Sequence, residues 1–241
     1  LSETQGVIPL AHTQDVAGPL ARSMVDLVTV LDATFAGVSF SEHLDADALQ
    51  GARVGVLRNY LGTSAPYGEV SQVIRAAAEI LSDNGVTIIE IEIDGLSDLL
   101  RNSSVIDYEF TTEIAEYLRA AGAPVTSIEE VLESGDYHPA LEERYRRSVV
   151  RAADKDEYHA RLARREELAE LLLDALDVHS LDAIAYPTMR IKPVFIGESQ
   201  SGSLCRLSAH SGLPAISMPA GFTGDGLPVG IEFLARPNQD T

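Results

Sequence analysis

The feature that most constrains this chain is a strand–helix–strand unit between residues 53 and 93. Arg53-Val-Gly-Val-Leu57 reads as a short apolar strand. Val70, Val73, Ile74, Ala77 and Leu81 recur at helical spacing, which predicts a helix over 69–83 that Asn84-Gly85 stops. Over 86–93, Ile89, Ile91 and Ile93 alternate with Glu90 and Glu92. That two-residue period is a strand with one wet face, expected near a sheet edge. Two strands joined by one helix of this length run parallel through a right-handed crossover. A chain built on such a unit is α/β, a mixed central sheet flanked by helices.

The remaining segments fit that frame. Gly6 to Gly18 reads as loop and short strand. A helix is expected from near Ala21, with Met24, Leu27, Val28, Leu31 and Phe35 on one face and Gly37 as its left-handed cap. Residues 98–176 read as mainly helical. Within them, Thr126 with Glu129, or Ser127 with Glu130, forms a capping box for a helix ending near Gly135. A long helix over 156–176 carries Arg161, Arg164 and Arg165, read as a solvated or ion-paired face, with a substrate carboxylate as the alternative partner for one of them. Asp182-Ala-Ile-Ala-Tyr186 is a strand stopped by Pro187, and a short helix over 203–211 ends at Gly212. Strands over 215–218 and 229–234 are joined through Gly224-Asp-Gly226 as a hairpin. At 241 residues the chain is long enough for one large domain or two small ones.

Charge removes one class of partner. With 18 Lys+Arg against 37 Asp+Glu, the net charge of −19 repels a polyanion, so no nucleic-acid partner is expected. No stretch approaches the roughly 20 apolar residues of a membrane helix, so no membrane partner is expected either. The single cysteine, Cys205, permits neither an internal disulfide nor a Cys-rich zinc site, and fits a reducing, cytoplasmic setting. The chain opens Leu1-Ser2-Glu3 without methionine or targeting segment and closes on Arg236-Pro-Asn-Gln-Asp-Thr241, ends expected of an internal stretch.

Several chemistries lack their motifs. No Walker loop, GxGxxG or GxSxG occurs, and the six histidines make neither an i, i+4 pair nor HExxH. The turn from Gly62 to Gly68 lacks the glycine spacing that a pyrophosphate requires. Ser201-Gly-Ser203 matches a nucleophile loop in composition, but no base is assigned to it. No cofactor and no metal are expected.

Three segments carry a resemblance. Gly6-Val-Ile-Pro-Leu-Ala-His-Thr-Gln-Asp-Val-Ala-Gly-Pro19 is followed by Ala21-Arg22-Ser23 and an amphipathic helix. Asp182-Ala-Ile-Ala-Tyr-Pro-Thr188 is the second. Ser211-Gly-Leu-Pro-Ala-Ile-Ser-Met-Pro-Ala-Gly221 with Asp225-Gly-Leu-Pro-Val-Gly-Ile231 is the third and most specific. In order and spacing the chain resembles the amidase-signature family downstream of its serine-rich signature.

That resemblance implies a mixed sheet wrapped by helices, residues 1–241 as the C-terminal portion of a single domain with a variable helical region over about 98–176, and hydrolysis of an amide bond. The implied machinery is a serine nucleophile, a second serine in a cis peptide, a neutral lysine as base, and an oxyanion site of backbone N–H groups. No Gly-Gly-Ser-Ser-Gly-Gly-Ser stretch is present, and neither lysine, Lys155 nor Lys192, stands at the matching position. No catalytic residue is therefore assigned, and the chain alone is expected to be inactive. The pocket residues implied are Thr13, Gln14 and Asp15, then Tyr186 and Thr188, then Arg206 and Ser208. Asp15 reads equally as a turn carboxylate. The expected partners are a small amide substrate and an N-terminal segment of the same enzyme, and a homodimer is compatible. Two other readings stand beside it: the A-type subunit of a glutamine-dependent amidotransferase, passing ammonia to a partner, and a non-catalytic binding or scaffold protein.

Overall fold

In a computed structural model, residues 6–35 and 37–239 are described; the opening Leu1-Ser2-Glu3 and the closing Asp240-Thr241 lie outside them. Among the described residues, eight α-helices and five strands follow one another. They are α1 (Met24–Thr34), β1 (Arg53–Leu57), α2 (Gly68–Asp83), β2 (Thr87–Ile91), α3 (Leu96–Asn102), α4 (Ile106–Ala120), α5 (Ile128–Ser134), α6 (Glu142–Arg151), α7 (Lys155–Val178), β3 (Ala183–Pro187), α8 (Arg206–Ser211), β4 (Ala215–Phe222) and β5 (Pro228–Leu234). They form two compact units, one of residues 1–42 and 101–165, the other of residues 43–100 and 166–241.

The second unit holds the sheet, in the order β2-β1-β3-β5-β4. β1 runs parallel to β2 and to β3, while β5 is antiparallel to both β3 and β4. The strand–helix–strand unit is therefore present, and its second strand is the sheet edge that the alternating carboxylates predict. Glu90 and Glu92 stay exposed there and pair with Arg75 and Arg58, charges that protect an open edge from further strand pairing. One sheet face packs on α2 through Val70, Ile74, Val54, Ala185 and Ile231. The other packs on the C-terminal half of α7, where Leu168, Leu172 and Leu176 meet Leu57, Ile184 and Tyr186. Those leucines recur every fourth residue and form one buried stripe.

Several boundaries differ from the sequence reading. β2 is shorter than 86–93, because the Ile93 backbone is taken by a side chain: its N–H donates to Asn59 Oδ1 at 3.0 Å and its carbonyl accepts from Asn59 Nδ2 at 2.8 Å. β4 runs past Met218 to Phe222, with a register shift between Pro219 and Gly221. It is an edge strand, where the missing proline N–H is tolerated. Pro187 ends β3 from inside the strand, opposite Ile231. α8 begins at Arg206 because Ser203 bridges to Met189 and the Leu204 N–H donates to the Thr188 carbonyl.

The first unit is helical. α1 starts at Met24, since Ser23 caps it by accepting from the Asp26 N–H at 3.1 Å. It ends at Thr34 with Phe35 extended, so Gly37, though left-handed at φ 89°, is not its cap. No strand occurs among residues 6–22. At α5 the cap is Ser127, which accepts from the Glu130 N–H at 3.2 Å, while Glu130 reaches back to the Thr126 N–H at 2.6 Å. Gly135, at φ 73°, ends that helix.

Candidate functional site

The expected pocket residues fall in two clusters, one in each unit. In the first unit the Gly6–Pro19 segment contains a tight turn over residues 11–15, with the Gln14 and Asp15 N–H groups donating to the Ala11 carbonyl at 3.0 and 2.9 Å. Asp15 closes it: its Oδ2 accepts from the Leu10 and Ala11 N–H groups at 2.7 and 2.9 Å. The turn-carboxylate reading of Asp15 is the one its hydrogen bonds describe.

Thr13 sits between two buried ionic groups. Its N–H and hydroxyl donate to Glu109 Oε2 at 3.3 and 3.1 Å. The Arg165 guanidinium donates to the Thr13 hydroxyl oxygen at 2.6 Å and to its carbonyl at 2.9 Å. Glu109 and Arg165 are both buried, so Arg165 is not on a solvated face. Burial pulls the Arg165 guanidinium down from its usual range, and the Glu109 charge opposes that. Tyr158 donates to Glu109 Oε1 at 3.0 Å, and burial first, then Glu109, holds its phenol above the ordinary range. Arg161 and Arg164 are ion-paired with Glu157, as the helix spacing suggests. The Gln14 side-chain carbonyl is buried with no donor among the described residues. His12, Asp15 and Glu113 line an open pocket of about 310 Å³ nearby.

The second cluster lies at the carboxyl end of parallel strands β1 and β3, where open α/β sheets carry ligand sites. Tyr186, Glu232 and Ser217 stand opposite one another across β3, β5 and β4. The Tyr186 hydroxyl donates to Glu232 Oε1 at 2.8 Å, and the Ser208 hydroxyl lies 3.2 Å from the same oxygen. Burial first, then the Glu232 charge, pushes the Tyr186 phenol far above the tyrosine range, so it is a fixed neutral donor. Two residues along, Thr188 Oγ1 and Ser217 Oγ share a 2.6 Å hydrogen bond. Gly230 lies beneath them; a Cβ there would come within 2.8 Å of Thr188 Oγ1. Arg206 is exposed on the first turn of α8.

The structure thus joins Tyr186 with Ser208 through Glu232, and Thr188 with Ser217. Sequence reasoning missed Glu232, Ser217, Glu109 and Tyr158. For Glu232 a signal exists: it is a carboxylate inside the apolar run Val229-Gly-Ile-Glu-Phe-Leu234. Glu109 lies in a polar helix and gives no comparable sign.

The alternative nucleophiles can be judged chemically. The Ser203 hydroxyl donates to Cys205 Sγ at 3.1 Å, a weak acceptor and not a base. Lys192 donates to Asp225 Oδ2 at 2.7 Å and to Glu69 Oε2 at 2.9 Å. These hydrogen bonds raise its pKa, Asp225 first, and keep it protonated. A lysine base needs the opposite shift. Among the described residues no group of three or more His, Cys, Asp or Glu could hold a metal ion, and no helix is long and apolar enough to cross a membrane.

The amidase family model matches residues 2–241. An indoleacetamide hydrolase of Agrobacterium vitis is 28% identical over 97% of this chain and 53% of its own length. The A-type subunit of a glutamyl-tRNA(Gln) amidotransferase from Deinococcus deserti is 30% identical over 98% of this chain and 54% of its own. The structure of native peptide amidase from Stenotrophomonas maltophilia superposes with a TM-score of 0.79 at 25% identity, covering 98% of this chain and 52% of that one. The chain spans about half the length of the curated relatives it matches.

Proposed function

The chain belongs to the amidase family, and on that premise we propose that it is part of an enzyme hydrolysing a carboxylic amide C–N bond. In this reading a serine hydroxyl, deprotonated through a neutral lysine, attacks the amide carbonyl carbon. The tetrahedral adduct collapses, the C–N bond breaks, and the amine or ammonia leaves with the proton. Water then hydrolyses the acyl-serine. The serines and the lysine lie outside this chain, which supplies sheet and pocket residues: Thr13, Gln14 and Asp15, with Tyr186, Thr188, Arg206 and Ser208. The 241 residues form a portion of one amidase domain whose helical region over 98–176 varies with substrate. The setting is cytoplasmic, without nucleic-acid or membrane partners.

The observation that carries this reading is the state of the chain's own candidates. Lys192 is held protonated by two carboxylates, and Ser203 faces a thiol, while the family match runs from residue 2 to 241. Ammonia release from simple amides tests it. The 241 residues alone should give none, and joining them to the family's serine-rich segment should restore turnover. Turnover by the isolated chain would refute it.

A second reading, an A-type amidotransferase subunit that hands ammonia to a partner, is favoured by the 30% identity to the Deinococcus deserti protein. Glutamine turnover that rises when a partner protein is added separates it from a free-standing amidase.

A further inference from the structure

Arg190 follows Thr188 and Met189 at the carboxyl end of β3, and every part of it except one edge of its guanidinium is engaged. Its backbone N–H donates to the Gly202 carbonyl at 2.8 Å. Met189 and Ser203 form an antiparallel bridge beside it. Gly202, at φ 82°, lets the returning strand press close: a Cβ there would lie 3.3 Å from Arg190 Cβ. The guanidinium carbon stands 4.2 Å from the ring centroid of Tyr67 and 5.6 Å from that of Tyr60. Nε donates to the Tyr60 carbonyl at 3.3 Å. Gly62 makes room for Tyr67, since a Cβ at Gly62 would meet Tyr67 Cβ at 2.8 Å.

Stacking satisfies the face of a guanidinium and leaves its rim of N–H donors untouched. Neither Nη of Arg190 has a hydrogen-bond or carboxylate partner among the described residues. In a chain with 37 acidic residues many other arginines are paired with one, Arg147 and Arg161 among them. Arg206 lies close enough to act on Tyr60 together with Arg190 and also has no carboxylate partner among the described residues. An aromatic cradle, an anchored backbone and a free planar fork describe a prepared anion site.

We propose that Arg190, held on Tyr60 and Tyr67, binds a carboxylate carried by the substrate, so that the preferred substrate is an amide bearing a second, anionic carboxyl group. The planar fork matches a carboxylate in bidentate geometry. A monoanion also meets less long-range repulsion than a phosphate dianion from a chain of net charge −19. The assignment rests on the amidase reading and names its substrate class.

The test compares succinamate, an amide with a free carboxylate, with neutral succinamide, using the whole protein that carries this chain. The wild type should prefer succinamate in kcat/KM. In R190Q that preference should fall roughly 10- to 100-fold, the scale of charge-assisted hydrogen bonds, and mainly through KM. R190K, which keeps the charge but loses the fork, should fall between the two. Equal effects on both amides, or no effect, would overturn the assignment. If the wild type turns over neither amide, the amidase reading is judged separately on a panel of simple amides and glutamine, and calorimetric titration with succinamate decides the site. Binding that weakens in R190Q supports the site, and no binding by the wild type overturns it. Thermal unfolding accompanies each variant; should R190Q not fold, R190K carries the comparison, and an unchanged preference in R190K overturns the proposal.

Discussion

Buried polar residues in this molecule work as bridges. Tyr186 presents a neutral hydroxyl to Glu232, and its alkaline behaviour follows from that. Burial raises its pKa above the ordinary tyrosine value of about 10. The stability of the neutral phenol is fully present below about pH 10 and is lost as pH rises toward the folded value. Melting followed against pH should fall above about pH 10 in the wild type, and Y186F should lose that alkaline component. Y186F should also cost about 1–3 kcal/mol at neutral pH, because Glu232 loses a donor in a buried place. Thr13 is the same kind of bridge between Arg165 and Glu109. T13A should cost about 1–3 kcal/mol in denaturant unfolding, and a neutral result would show that water replaces the hydroxyl.

At the scale of elements, the packing stripes carry the fold. L172A removes a fully buried side chain from the face of α7 that meets the sheet and should cost about 2–5 kcal/mol. G230A should cost about 1–3 kcal/mol by crowding the Thr188–Ser217 pair, read by the same unfolding midpoint. Elements with strong periodicity were legible in the sequence: β1 has the expected bounds, and α2 buries Val70 and Ile74 as its spacing requires. What was not legible depended on tertiary partners. Asn59 captures the Ile93 backbone from 34 positions away, and the Met189–Ser203 bridge delays α8; neither leaves a local pattern. The candidate site divides the same way. Tyr186 and Thr188 stood out because they end a strand, whereas Arg190 shows its role only once Tyr60 and Tyr67 are folded around it.

At the scale of the molecule, two of the chain's own candidates for nucleophile and base are engaged elsewhere: the Ser203 hydroxyl donates to the Cys205 thiol, and Lys192 is paired with Asp225 and Glu69. Lys192 is kept from the role of base by its ion pairs, which tie the loop after β3 to α2 and to the β4–β5 turn. K192M in the whole protein should therefore keep amide turnover, with at most a modest loss of stability, since both ion pairs are partly exposed. The most direct measurement is ammonia release from a panel of simple amides and glutamine, by the 241 residues alone and joined to the family's serine-rich segment. No release is expected from the isolated chain, and turnover is expected once that segment is present. Release by the isolated chain, abolished by substitution of Ser203, Cys205 or Lys192, would contradict the assignment of the chemistry to residues outside it.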